Sequence, residues 1–132
     1  MTLESAVKGF KFLLEVSGQR VHSTAAARLI FVGREKLRKD YDFLVEEEQK
    51  LIEEHGGSVT EAGEIIFRKA EDESDENAAL RVVNFNKARK ELGEMDSITS
   101  EIRTIPLSML EGADIRPDDL TDIAGWLIDI EH

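Results

Sequence analysis

Residues 23–57 read STAAARLIFVGREKLRKDYDFLVEEEQKLIEEHGG. Ala26, Ile30, Leu37, Tyr41, Leu44 and Leu51 recur at helical spacing, and Leu29, Phe43 and Ile52 widen the stripe. No proline interrupts the run. The spacing predicts one long helix from about Ser23 to Glu54. His55-Gly56-Gly57 ends it, with His55 near its negative end. Gly33 inside this helix costs about 1 kcal/mol against Ala, which predicts that another element packs closely there.

The flanking segments build outward from this helix. Leu3, Ala6, Val7, Phe10, Leu13 and Leu14 form one apolar stripe and predict a helix from Leu3 to about Val16. Thr2 can cap it, and Ser17-Gly18 can stop it in the left-handed geometry glycine tolerates. Ser58-Val59-Thr60 and Glu64-Ile65-Ile66-Phe67 flank Glu61-Ala62-Gly63 and predict a hairpin, which needs to pack on something else to persist. Lys69 to Glu76 is a charged loop. A further helix, from about Asp75 to Glu94, is predicted by Ala78, Val82, Phe85, Ala88 and Leu92, with Ser74 or Asp75 as its cap. Ile98 to Ile105 reads as a strand closed by Pro106 and able to join the hairpin. A last helix is expected from Pro117, with Asp118 and Asp119 in its first turn and Leu120, Ile123, Ala124, Leu127 and Ile128 as its stripe. The expectation is a single domain, residues 1–132, of α+β class and predominantly helical. Long antiparallel helices should pack with a small two- or three-stranded sheet.

Composition narrows the functional classes. Hydrophobic residues make up 41% and charged residues 34%, a balance that suits a folded chain with a heavily charged surface. Aromatics are only 6%, so Leu, Ile, Val and Ala must build the core. Acids outnumber bases 28 to 17, for a formal net charge of -11. Such a chain attracts neither DNA nor anionic membranes without a local basic patch. Cysteine is absent, which removes disulfides, thiolate metal sites and a Cys nucleophile. No apolar run approaches the ~20 residues that span a bilayer. The amino terminus, with Glu4 and Glu15, reads as structure and not as a signal peptide. These features lead to an expected cytoplasmic location.

The residues that carry chemistry are not arranged for it. His22, His55 and His132 have none of the i, i+4 spacing of helical metal motifs. Glu46, Glu47 and Glu48 are consecutive and so spread around a helix. Asp118 and Asp122 share a face, but an exposed first turn accounts for that. The phosphate loop and the dinucleotide fingerprint are both missing, and Ser23-Thr24 lacks a nucleophile-elbow context. No catalytic residue, cofactor or metal is expected.

Charge is unevenly distributed. Arg20, Arg28, Arg34, Lys36, Arg38 and Lys39 load the start of the long helix against Glu35 alone. The carboxyl end carries Glu111, Asp114, Asp118, Asp119, Asp122, Asp129 and Glu131 against Arg116. The plainest reading is internal neutralisation or two solvated faces. A dipolar surface also complements its own copy head to tail. The acidic end could instead fill a partner's basic groove, carboxylates replacing phosphates. The basic stretch, with Arg34 and Arg38 at its centre, could contact nucleic acid, though no aromatics alternate with it to stack bases. Trp126, the single Trp, is either a binding hot spot or a partly buried core residue.

The order of elements also carries a resemblance. A long charged helix ends at Lys50-Leu51-Ile52-Glu53-Glu54-His55-Gly56-Gly57, followed by Gly63-Glu64-Ile65-Ile66 and a helix around Asn84-Phe85-Asn86-Lys87. Ile105-Pro106-Leu107-Ser108-Met109-Leu110 and Ile115-Arg116-Pro117-Asp118-Asp119-Leu120 complete the set. From roughly Phe12 to Ile128 the chain resembles an uncharacterised family of small proteins encoded by phages and prophages of Gram-positive bacteria. Arg116 departs from the better capping residue common in that family. The resemblance implies a phage gene product from a late region near tail and lysis genes, and it brings no catalytic residues.

Three functions are therefore expected in order. The first is a non-enzymatic virion or tail assembly or accessory factor acting by protein–protein contact, as a homo-oligomer with the long helix as interface. The second is a small acidic inhibitor of a host defence protein or nuclease. The third is a nucleic-acid-binding accessory protein.

Overall fold

The computed structural model describes residues 1–19 and 23–130. The elements are α1 (Leu3–Ser17), α2 (Thr24–Glu54), β1 (Ser58–Val59), β2 (Ile65–Ile66), α3 (Asp75–Glu94), β3 (Ile105–Pro106) and β4 (Ile128–Asp129). Two 3-10 turns, Leu107–Leu110 and Pro117–Leu120, lie between β3 and β4. The fold is α+β and predominantly helical, as its sequence pattern predicts. Arg20, His22, Glu131 and His132, which figure in the charge and histidine readings above, lie outside the described residues.

Local signals set the helix starts. Thr2, Ser23 and Ser74 each accept a hydrogen bond from an amide of the first turn, those of Ser5, Ala26 and Asn77, at 3.2 Å. Gly56 (φ 71°) supplies the left-handed residue after α2, and His55 Nδ1 lies 2.8 Å from the Leu51 carbonyl. Gly18 does not act this way. Its φ is -83°, and α1 ends on a tightened turn in which Gly18 N donates to the Glu15 carbonyl at 3.2 Å.

The helices pack antiparallel. Leu13 of α1 lies against Gly33 of α2, and Phe10 stacks on Tyr41 with ring centroids 4.7 Å apart. Leu3 and Val7 share a cluster with Leu44 and with Leu92 of α3. A Cβ at Gly33 would stand 3.0 Å from Leu13 Cδ1, so the glycine permits close approach. Along α3 the order reverses again: Phe85 meets His55, and Leu92 meets Leu44. After α3 the chain crosses the start of α1, where Leu3 N donates to the Met95 carbonyl at 2.7 Å.

The strands depart from expectation. β1 and β2 form the hairpin, paired Ser58 to Ile66 and Val59 to Ile65, with Gly63 at φ 83° in its turn. Among the described residues no third strand joins it. Of Ile98–Ile105 only Ile105 enters a ladder, with Pro106, and their partner is β4 in parallel. Asp40 is the reason. This fully buried carboxylate accepts hydrogen bonds from Ser97 Oγ (2.7 Å), Ile98 N (2.8 Å) and Thr99 Oγ1, and so holds the chain against α2. The last helix is also absent. Three residues of its stripe, Ile123, Leu127 and Ile128, are among the most enclosed, while Leu120 is half-buried and Ala124 exposed. The backbone makes two i to i+4 turns instead, Ala124 N to the Leu120 carbonyl and Leu127 N to the Ile123 carbonyl. Left-handed Asp122 (φ 70°) lies inside the first and Gly125 (φ 95°) inside the second, and they break the right-handed helix.

Arg81 ties the hairpin end to α3. Its guanidinium donates to the His55 carbonyl (2.9 Å), the Arg68 carbonyl (2.9 Å) and both Glu73 oxygens (2.7 and 2.6 Å). The hydrogen bond from Arg81 holds the Glu73 carboxyl below its ordinary 4.5. A depressed folded-state pKa contributes stability above the unfolded value, and that contribution is lost as pH falls through the folded value. Wild-type protein should therefore lose stability on acidification below pH 4.5, and an Arg81→Met variant should lose less over the same range. Thermal midpoints of the two proteins across that range check this; parallel curves would refute the linkage.

Candidate functional site

Part of the acidic end is engaged within the fold. Asp118 and Asp119 sit on the 3-10 turn Pro117–Leu120, where Asp119 Oδ2 accepts from Arg116 N at 2.9 Å. With Lys8, Lys11, Phe12 and Glu15 of α1 they line a shallow depression of about 220 Å³. Asp122 pairs with Lys8 at 2.6 Å, and that hydrogen bond raises the Lys8 pKa above its ordinary value. Both partners are well exposed, so the pair contributes under about 1 kcal/mol. Asp129 is half-buried in β4.

Trp126 is also committed to the fold. Its half-buried ring lies on Gly9 of α1, where a Cβ would stand 2.6 Å from Cη2 of the ring, and its Nε1 donates to the Asp122 carbonyl. Gly9→Ala should therefore displace the indole and cost about 1 kcal/mol, as overpacking outweighs the gain in helix propensity. Because Trp126 is the single Trp, its fluorescence emission should shift to the red; an unchanged spectrum and an unchanged thermal midpoint would contradict the contact.

The basic block divides by helix angle. Arg34 and Arg38 lie on one flank of α2, bracketing Glu35 at 3.7 and 3.2 Å. Their guanidiniums cover Phe31 and Phe10, at 5.4 and 5.5 Å from the ring centroids. Positions 25, 28, 29, 32, 36 and 39 occupy the other flank, within roughly a third of the helix circumference. This second flank is one wall of an open groove of about 850 Å³, whose opposite wall is Glu101–Arg103. A smaller depression, lined by Lys36, Lys39 and the 98–101 segment, continues it.

The groove combines charge with apolar surface. Leu29, Val32 and Ile102 line it, and Ile98, 58% exposed, lies at its extension. Arg28, Lys36, Lys39 and Arg103 supply four cations against one acid, the exposed Glu101. Among the described residues their side chains have no ion-pair or hydrogen-bond partner. In a chain with an excess of acids, four unpaired cations along one groove are not explained by internal neutralisation.

The structure does not bring the sequence-derived candidates together. Asp118, Asp119, Asp122 and Trp126 belong to the surface around α1, while Arg34 and Arg38 are held by Glu35 and aromatic faces. Sorting the basic block by 100° per residue would have separated Arg28, Lys36 and Lys39 from Arg34 and Arg38. Arg103 carries no such signal, because its place in the groove depends on where Asp40 anchors the chain.

Among the described residues no group of three or more His, Asp or Glu side chains is placed to hold a metal ion. Among the described residues no helix is long and apolar enough to cross a membrane. The groove offers the means to hold an anionic, partly apolar surface by salt-dependent contact. No family model matches this chain, and no match is found among curated proteins or solved structures.

Proposed function

We propose that this protein is a non-enzymatic protein–protein interaction module of a phage, working in the cytoplasm of a bacterial host or in the virion as an assembly or accessory factor. The observation that carries this reading is the α2 groove, where unpaired cations flank exposed apolar side chains. Apolar area drives association, and unpaired charge at its rim selects a partner of opposite sign. An acidic inhibitor that fills a basic groove is less favoured, because Lys8 engages Asp122 and Arg116 N engages Asp119. Nucleic-acid binding is less favoured because the groove wall is aliphatic where base stacking needs aromatics.

Affinity capture with the tagged chain tests the reading. Lysates of infected and uninfected host are compared, and Lys36→Glu serves as the groove control. Phage structural proteins, captured only from infected cells and lost in the control, are the expected result. A host nuclease captured from uninfected cells and released by Asp118→Asn would establish the inhibitor in its place.

A further inference from the structure

The interaction reading leaves the partner open, and a second surface of the same chain supplies one. The first turns of α3 present Glu76, Ala79, Leu80 and Val83 on one face, at i, i+3, i+4 and i+7. Leu80 is 54% exposed and Val83 60%, both high for large aliphatics on a helix. Phe85 and Leu92 carry the buried side of α3, so this outer face has no partner among the described residues. Glu71 and Asp72 precede the face in the charged loop. Glu71, Asp72 and Glu76 are exposed and, among the described residues, have no ion-pair partner. Asp75, by contrast, pairs with Lys69 at 2.7 Å.

The chain thus holds two unpartnered surfaces of opposite character. One is a groove of aliphatic side chains edged by Arg28, Lys36, Lys39 and Arg103. The other is a helical ridge of aliphatic side chains preceded by Glu71, Asp72 and Glu76. They lie on different elements, so a copy's ridge meets a groove only on a second molecule. We propose that the start of α3 in one copy docks in the α2 groove of the next, giving a head-to-tail, heterologous contact. Leu80 and Val83 cover Val32 and Ile98, and the acids before them meet the groove cations. Lys87, one turn further along the ridge, lies beyond the contact. A heterologous contact leaves one groove and one ridge open at the ends, so it propagates into a ring or a filament instead of closing as a dimer. This proposal rests on the interaction reading above and names the partner as the chain itself.

Charge reversal on each surface of the full chain provides the test, read by light-scattering mass across a concentration series. The wild type should exceed the monomer mass increasingly with concentration, and less so at high salt. Lys36→Glu with Arg103→Glu closes the groove; Asp72→Lys with Glu76→Lys closes the ridge. All four residues are exposed, and the circular dichroism spectrum of each variant should match the wild type. Each pair should weaken self-association roughly tenfold or more. Mixed together, the two variants should grow again as an alternating assembly, because the native ridge fits the native groove and the reversed ridge fits the reversed groove. All four changes in one chain should restore growth. A monomeric wild type at every concentration, or reversals that leave its mass unchanged, overturns the proposal. A monomer that still captures a phage protein through Lys36 overturns self-docking while leaving the interaction reading intact. A monomer that captures nothing overturns both.

Discussion

Asp40→Ala is expected to lower folding stability by about 3 kcal/mol, through the loss of charge-assisted hydrogen bonds and the stranding of their donors. The carboxylate is fully buried and receives Ser97 Oγ, Ile98 N and Thr99 Oγ1. A buried carboxylate that loses these donors would be costly, and so would the donors without it. Asp40→Asn should cost about half as much. It keeps one acceptor for Ile98 N and offers its amide to hydroxyls that can turn to accept. Urea denaturation gives the energies, and the Ile98 amide should exchange with solvent much faster in the Ala variant. The same substitution frees the outer wall of the groove, since Asp40 holds the residues just before Glu101–Arg103. An Ala variant within about 0.5 kcal/mol of wild type would mean that the carboxylate is a bystander.

Leu127→Ala should cost about 3 kcal/mol, the usual loss for a fully buried leucine that leaves a cavity. Leu127 is fully buried with Phe10, Leu13, Ile105 and Ile123 in the main apolar cluster. Its carbonyl also accepts from Ile105 N at 2.7 Å, the bond that leads into the β3–β4 pairing. Ile130→Ala, close by and 54% exposed, should change stability by less than about 0.5 kcal/mol. Unfolding midpoints of both variants in urea measure the contrast. Equal effects would show that the carboxyl-terminal turns lie on the protein without sharing its core.

Much of the candidate groove was present in the sequence but sorted wrongly. Arg28, Lys36 and Lys39 were visible as part of a basic block, yet linear order mixes the two flanks of a helix that three-dimensional angle separates. Asp40 also left a trace. It falls on the buried stripe between Leu37 and Leu44, where a carboxylate must find donors. Which donors it finds, some 57 to 59 residues later in the chain, is not written in any local pattern. The acidic carboxyl end was legible only in part. Its acids look like an open face in sequence, and the fold sets three of them, Asp118, Asp119 and Asp122, beside Lys8 and Lys11.

By itself the sequence determined the three helices, the caps at Thr2 and Ser74 and the small hairpin, because apolar period, capping hydroxyls and turn glycines act within a few residues of one another. Tertiary structure alone decided the rest. The run from Pro117 to Asp129 has the spacing of a helix, and consecutive single turns satisfy that spacing equally well once Leu127 and Ile128 can be buried beside Ile105. Residues 98–104 have the composition of a strand, and a buried carboxylate on α2 captured them before a sheet could. In both places a non-local contact outweighed a local preference worth less than about 1 kcal/mol per residue, and the groove exists because it did.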